Sequence, residues 1–322
     1  MSAPVLSVEG LRIDYATGAG RLQALRGVDM VARAGEVVGI VGESGCGKST
    51  LAAALINLPA ANATVRAGAV RLAGRDMLTL APDEKRAIRG RQVAMIFQDA
   101  MQAFNPVLPL GLQMVDFQHH LALSRKDKLA RARAMLARVG IPDPALVLNR
   151  YIHELSGGMR QRASIASALL MTPDLLIADE PTTALDVTME AQIIHLFREL
   201  RSTHKGAIVI VTHHLGVVGE LCDRVYVMYA GEVVEEGLVD EIYHTPRHPY
   251  TQALIACDPA HLSERTATLP TIPGRLPDLT APPAGCAFAP RCPLAGELCR
   301  NTPPPRVQVS QTQAALCHRV AR

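Results

Sequence analysis

At 322 residues the chain exceeds one ordinary domain and predicts one large domain with an appendage. Hydrophobic residues at 48%, aromatics at 3% and no tryptophan call for an aliphatic core. With 33 basic against 30 acidic side chains, a net charge of +3 is too weak to argue for nucleic acid, and no dense Lys/Arg stripe is visible. The N-terminal stretch MSAPVLSVEGLRIDY lacks the basic start and apolar core of a signal peptide. No apolar run approaches the ~18–20 residues of a bilayer span. A cytoplasmic chain able to dock on a membrane protein is expected. Seven cysteines there favour free thiols, a metal or a cluster over a disulfide framework.

Residues 5–41 read as short strands: VLSVEGLRIDY, VDMVARA and GEVVGIVG. Tyr15 precedes the first turn, and pattern alone favours an ordinary strand aromatic over a surface for an adenine ring. The third strand runs into GESGCGKST at 42–50, after which Leu51, Leu55 and Leu58 recur at helical spacing. Strand, glycine-rich loop and helix are the context of a phosphate-binding loop, and Gly42, Gly47, Lys48 and Ser49 meet its spacing in full. With no side chains at Gly42, Gly45 and Gly47, the backbone can turn its N–H groups onto a phosphate at a helix N-terminus. Lys48 would reach the outer phosphates and Ser49 would hold Mg²⁺. A nucleoside triphosphate site follows.

Further along, AVRLAGRDM (69–77) predicts a strand turning at Gly74, PDEKRAIR (82–89) a helix, and RQVAMIFQ (91–98) a strand ending at Gln98. A polar residue there is either a cap or a ligand for water or metal. Residues 99–155 change character, broken by Pro106, Pro109, Pro142 and Pro144. An amphipathic helix at 124–139 groups Leu129, Ala132, Leu136 and Val139, with a basic, solvated remainder. This is a helical insert. LSGGMRQR (155–162) then starts an apolar helix, and LLIADEP (175–181) and AIVIVTHH (207–214) read as buried strands. The helix between them presents Ile193, Ile194, Phe197 and Leu200. Strands alternating with helices indicate a mainly parallel sheet with functional residues at strand C-terminal ends. Asp179 can enter the Mg²⁺ shell while Glu180 orients the water that attacks the γ-phosphate. Ser156, Gly157 and Gly158 form a second anion cradle at a helix start. VYVMYAGEVVEEG (225–237) predicts a hairpin turned at Ala230-Gly231. The tail 246–322, with 13 of the 22 prolines, reads as a separate loop-rich module.

These motifs together resemble the ATP-binding subunit of ABC transporters, and within it the oligopeptide, dipeptide and nickel importer branch, of the dipeptide permease D type. GESGCGKS corresponds to the Walker A loop, LLIADE to Walker B, LSGGMRQR to the signature and Ala184-Leu185-Asp186 to the D-loop; ADEPTTALDVT and RHPYTQAL are typical of the branch. The resemblance covers nearly the whole chain and implies a P-loop ABC ATPase of α/β class. It would comprise a RecA-like core, an antiparallel β subdomain, a helical subdomain at about 99–158 and a loop-rich C-terminal cysteine module. A nucleotide-binding domain at 1–245 and a C-terminal extension at 246–322 follow. ATP would bind through Tyr15, Gly42, Ser44, Gly45, Cys46, Gly47, Lys48, Ser49, Thr50 and Gln98, with Tyr15 now an adenine-stacking aromatic. Mg²⁺ would use Ser49, Gln98 and Asp179. Lys48, Glu180 and the switch histidine His213 would be catalytic. Ser156, Gly157, Gly158 and Gln161 would cover ATP on a partner, with Asp186 in the D-loop.

Three departures stand out: His214 where Asp usually follows the switch histidine, Cys46 where Ser is common, and DAMQAFNP after Gln98. None removes a catalytic group, though His214 could alter how His213 is held. Cys46 is a candidate for oxidation, and Cys222 and Cys257 are expected in the core. In the tail, Cys286, Cys292, Cys299 and Cys317 are separated by five, six and seventeen residues, unlike a zinc knuckle. Four thiolates could bind zinc, a [4Fe–4S] cluster or nothing. The resemblance favours the cluster, with zinc second.

The resemblance further implies a second ABC ATPase subunit, usually a different chain, two transmembrane permease subunits and an extracytoplasmic solute-binding protein, at the cytoplasmic face of the membrane. The helical insert and Gln98 would form the coupling surface, and ATP would do work through different affinities for open and closed dimers. Nickel, glutathione or a sugar are alternative solutes to peptides. A soluble ABC ATPase acting on nucleic acid or ribosomes is the alternative class, and a redox-sensing tail is a third reading.

Overall fold

The computed structural model describes residues 3–183, 185–258 and 270–320. It divides into two compact units, Met1–Thr79 with Val211–Arg322, and Leu80–Ile210. In chain order the strands are β1 (Pro4–Thr17), β2 (Gly20–Arg33), β3 (Val37–Val41), β4 (Ala63–Leu72), β5 (Arg75–Asp76), β6 (Val93–Ile96), β7 (Leu175–Asp179), β8 (Ala207–Thr212), β9 (Arg224–Tyr229), β10 (Glu232–Leu238), β11 (Arg306–Gln308) and β12 (Ala314–Leu316). The helices are α1 (Lys48–Leu55), α2 (Pro82–Ile88), α3 (Leu110–Phe117), α4 (Arg125–Arg138), α5 (Pro144–Val147), α6 (Gly157–Leu169), α7 (Val187–Thr203), α8 (Leu215–Leu221), α9 (Val239–His244), α10 (Pro249–Ala256) and α11 (Glu297–Asn301).

In the first unit an antiparallel sheet has the order β2-β1-β4-β5. β2 begins at Gly20, well before the expected VDMVARA, because Gln23 and Arg26 already pair with Asp14 and Arg12. β4 likewise begins at Ala63, where Ala63 and Thr64 pair with Tyr15 and Asp14. Its first half is largely exposed, so no apolar alternation marks it in the sequence. Asp14 is buried but neutralised by Arg21 and Arg66, at 2.6 and 2.7 Å. β3 runs parallel to β9, which turns through Ala230-Gly231 into β10 as expected. All five β3 residues are buried, the pattern of a strand covered on both faces.

The tail contributes strands to the first unit. β12 pairs with β10 through Ala315 and Ala314 opposite Glu235 and Glu236, and β11 pairs with β12. Glu235, 1% exposed, is the staple. It accepts bonds from the Arg247 and His248 N–H groups at 2.7 and 2.9 Å and from the Gln313 amide at 3.0 Å. Burial still pushes its carboxyl upward against those bonds.

In the second unit β6 and β7 pair in parallel, and β7 is buried throughout. Gln118 ties α3 to α4, donating to the Lys128 carbonyl at 2.9 Å and accepting from Arg131 at 3.1 Å. Arg131 also donates to Leu170 O, so the basic face of α4 is not simply solvated. On α7 the buried residues are Ile193, Leu196, Phe197 and Leu200, with Leu196 in place of the expected Ile194, which is half-buried. Among the described residues no helix is long and apolar enough to cross a membrane.

Candidate functional site

The loop between β3 and α1 lies wholly in the first unit and is shaped from behind. Gly42, at φ 155°, sits against the Met228 carbonyl, where a Cβ would collide. Gly47, at φ 107°, is the N-terminal cap of α1, and a Cβ there would lie 2.6 Å from Ala24 O. The local conformation and the close backbone approach both demand glycine. Ser44, Gly45 and Ser49 are exposed, whereas Lys48 is 5% exposed. Its ammonium folds back onto the loop, donating to Gly42 O at 2.8 Å and Glu43 O at 3.0 Å. Exchanging these carbonyls for phosphate oxygens would convert neutral acceptors into charged ones. Tyr15 reaches the same edge, its hydroxyl 3.1 Å from Thr50 Oγ1.

Cys46 is 1% exposed, and burial pushes its thiol up. A buried thiol with a raised pKa is a poor target for peroxide, which counts against oxidation sensitivity. His213 and His214 are exposed with ring centroids 4.4 Å apart, so His214 does touch the residue it follows. It caps the start of α8 without a side-chain hydrogen bond.

In the second unit β7 ends at Asp179, which is buried. Glu180 follows at φ 47°, a left-handed conformation uncommon for a residue with a side chain. One of its carboxylate oxygens accepts from Thr183 Oγ1 at 2.8 Å and from the Gln98 amide at 3.1 Å. Gln98 stands two residues beyond the end of β6 and is exposed. A carboxylate fixed by two donors on one oxygen leaves the other oriented, which suits positioning of a water.

Ser156 caps α6, accepting from the Met159 N–H at 3.3 Å. Gly157 is exposed and a Cβ there would meet nothing within 4 Å, whereas one at Gly158 would collide with the Met189 side chain. Gln161 is 5% exposed and donates to Pro181 O at 2.9 Å. Its amide is spent inside its own unit, which removes it from the exposed edge expected of it. Asp186 is exposed and caps α7, accepting from the Met189 N–H at 2.9 Å. Ala184 of the same expected D-loop lies outside the described residues.

Cys286, Cys292, Cys299 and Cys317 line one small cavity of the first unit, together with His248, Phe288 and Arg319. Burial raises the Cys292 thiol and pushes Cys286 up to about 11. Among the described residues no three His, Cys, Asp or Glu side chains stand close enough to hold a metal ion. Of the other expected core thiols, Cys222 is buried but Cys257 is only half-buried.

Sequence reasoning passed over Glu43, Tyr250 and Arg291. The Glu43 N–H donates to the Tyr250 hydroxyl at 2.9 Å, and the Glu43 carboxylate takes both arms of Arg291 at 2.7 and 3.0 Å. RHPYTQAL and the arginine before Cys292 were the available signals.

Residues 25–183 match the ABC transporter family, and residues 234–299 match the family described as oligopeptide/dipeptide transporter, C-terminal region. The chain is 45% identical to the probable D,D-dipeptide transport ATP-binding protein DdpD of Escherichia coli, over 94% of this chain and 93% of that one. It is 44% identical to the dipeptide transport ATP-binding protein DppD of Bacillus subtilis, over 97% and 94%. The chain belongs to the ABC transporter ATPases. Among solved structures, the dimeric ATP-binding cassette MJ0796 in a post-hydrolysis state with ADP and Pi aligns with a TM-score of 0.65 and 28% identity, over 73% of this chain and 98% of that one. As an ABC ATPase the chain is an ATP-hydrolysing, nucleotide-binding subunit, and ATP with Mg²⁺ is general to the family.

Proposed function

We propose that this ABC ATPase powers uptake of dipeptides or oligopeptides through a membrane importer. It would act at the cytoplasmic face beside two permease subunits, a second and different ATPase chain and an extracytoplasmic binding protein. The relatives named for dipeptide transport and the match at 234–299 support this reading. In sequence terms the nucleotide-binding domain is 1–245 and the extension 246–322. Purification from native membranes in mild detergent should bring two multi-span proteins, a second ATPase and the binding protein. Recovery with soluble ribosomal or repair proteins alone would overturn it.

For the chemistry, the main-chain N–H groups of the 42–50 loop and Lys48 hold the phosphates, with Tyr15 against the adenine. By the resemblance of the motifs, Ser49, Asp179 and Gln98 would hold Mg²⁺, which would neutralise phosphate charge. Glu180 would orient the attacking water, and His213 would serve as the switch histidine toward the γ-phosphate. Ser156, Gly157 and Gly158 cover ATP on the partner subunit, with Asp186 beside them. The fixed Glu180 carboxylate carries this assignment. Glu180→Gln should retain ATP binding while turnover falls by about 10²-fold or more. Turnover at the wild-type rate would remove Glu180 from the mechanism.

The shared cavity of Cys286, Cys292, Cys299 and Cys317 fits a four-thiolate [4Fe–4S] group in the kind and number of donors. Such a group would cross-link the tail and could carry one electron. Anaerobically purified protein should then be brown and contain iron and sulfide; colourless, iron-free protein would end this reading.

A further inference from the structure

The ion pair between Arg291 and Glu43 is built with unusual completeness. The Arg291 side chain is 3% exposed, and each of its five N–H groups finds an acceptor. Nε donates to Pro273 O at 2.9 Å, and one arm to Glu43 Oε2 at 2.7 Å and the Tyr229 hydroxyl at 3.3 Å. The other arm donates to Glu43 Oε1 at 3.0 Å and Ile272 O at 3.0 Å. The guanidinium carbon lies 5.7 Å from the centre of the Tyr229 ring and 6.0 Å from that of Phe288. An arginine so fully occupied has one geometry, and it imposes that geometry on whatever it grips.

What it grips is the phosphate loop. Glu43 lies one residue after Gly42, its carbonyl accepts from Lys48 at 3.0 Å, and its N–H is held by Tyr250. Both ends of this residue are therefore fixed by the C-terminal segment, the N–H by Tyr250 and the carboxylate by Arg291. Leu276 also lies close, 3.9 Å from where a Gly45 Cβ would stand. A glycine-rich loop loses much conformational entropy when it orders around a ligand, and bracing it beforehand lowers that cost.

We propose that Arg291, with Tyr250, is a positioning residue for the phosphate loop, so that nucleotide affinity is set by the C-terminal segment through Glu43. The proposal rests on the reading of 42–50 as the ATP site. Arg291 directly precedes Cys292 of the thiol-lined cavity, so packing there reaches the loop through one side chain.

The test is a double-mutant cycle on the full chain, reading the Kd for MgADP by titration calorimetry and KM against kcat for ATP. Glu43→Gln keeps the side-chain shape at a partly exposed position, and Arg291→Lys keeps charge while losing the two-armed grip. Each should weaken MgADP binding on the order of tenfold and raise KM with kcat held. The double variant Glu43→Gln/Arg291→Lys should bind no more weakly than the weaker of the two single variants, since the two side chains act as one unit. Wild-type affinity in both Glu43→Gln and Arg291→Lys would overturn the proposal, provided Lys48→Ala does weaken binding. Full additivity in the cycle would overturn it too. If Lys48→Ala also binds normally, the ATP-site reading has failed and the proposal falls with it.

Discussion

Two glycine turns at helix starts are held in opposite ways. The 42–50 loop is braced from behind by the Met228 and Ala24 carbonyls, by the Tyr250 hydroxyl and by Arg291, leaving Ser44, Gly45 and Ser49 open. Among the described residues, the Ser156–Gly158 turn is anchored where Gly158 packs on Met189 and where Ser156 caps its own helix, and a Cβ at Gly157 would meet nothing within 4 Å. A loop fixed on every side but one can hold a charged ligand by itself. An edge fixed only at its root offers its donors outward, as the proposed covering of a partner's nucleotide needs. The difference lies in packing, not composition, since both turns combine glycine with a serine hydroxyl.

The contrast breaks most visibly at Lys48. Lys48→Ala should weaken ATP binding by roughly 10–100-fold, the value of charge-assisted bonds to phosphate. The two carbonyls it now engages would return to solvent or to the loop, and the fold should hold. Equilibrium binding of ATP measures this, and unchanged affinity would mean the braced loop is not the phosphate site.

The bracing itself depends on the tail staying in the sheet. Glu235→Ala would leave the Arg247 and His248 N–H groups and the Gln313 amide without their acceptor. A loss of about 3 kcal/mol in unfolding free energy is expected, with looser nucleotide binding as a consequence. Urea unfolding with and without ATP reads both effects. A stable variant with normal affinity would separate the tail from the loop.

Much of the site was legible because its chemistry is local. The 42–50 loop, Asp179-Glu180 and Ser156–Gly158 each depend on neighbours in sequence, and apolar runs such as β3, β7 and β8 announce buried strands. What was missed depends on distant partners. β4 starts early because it pairs with β1, though its exposed half carries no period. The tail read as separate because prolines hide two three-residue strands, and a buried Glu235 gives no sign of itself in an apolar hairpin. Gln161 looks like a continuation of the signature, but the helical phase after Ser156 turns it inward to Pro181. Arg291 and Glu43, 248 positions apart, could not be paired by any local rule.

The smallest effects test the open turn. At Gly158 an added methyl meets the flexible end of Met189, which can move, so Gly158→Ala should cost about 1 kcal/mol in stability. At Gly157 there is no obstacle and the residue is helical, so Gly157→Ala should fold as well or gain a few tenths of a kcal/mol. The two should then diverge in the reverse sense for function. If this edge covers a partner's nucleotide as proposed, a methyl on it would crowd that nucleotide, so Gly157→Ala should slow turnover severalfold while ATP binding to the single chain and the melting temperature are unchanged. Full turnover in Gly157→Ala would show that the edge is open because nothing uses it, and the contrast between the two turns would lose its functional meaning.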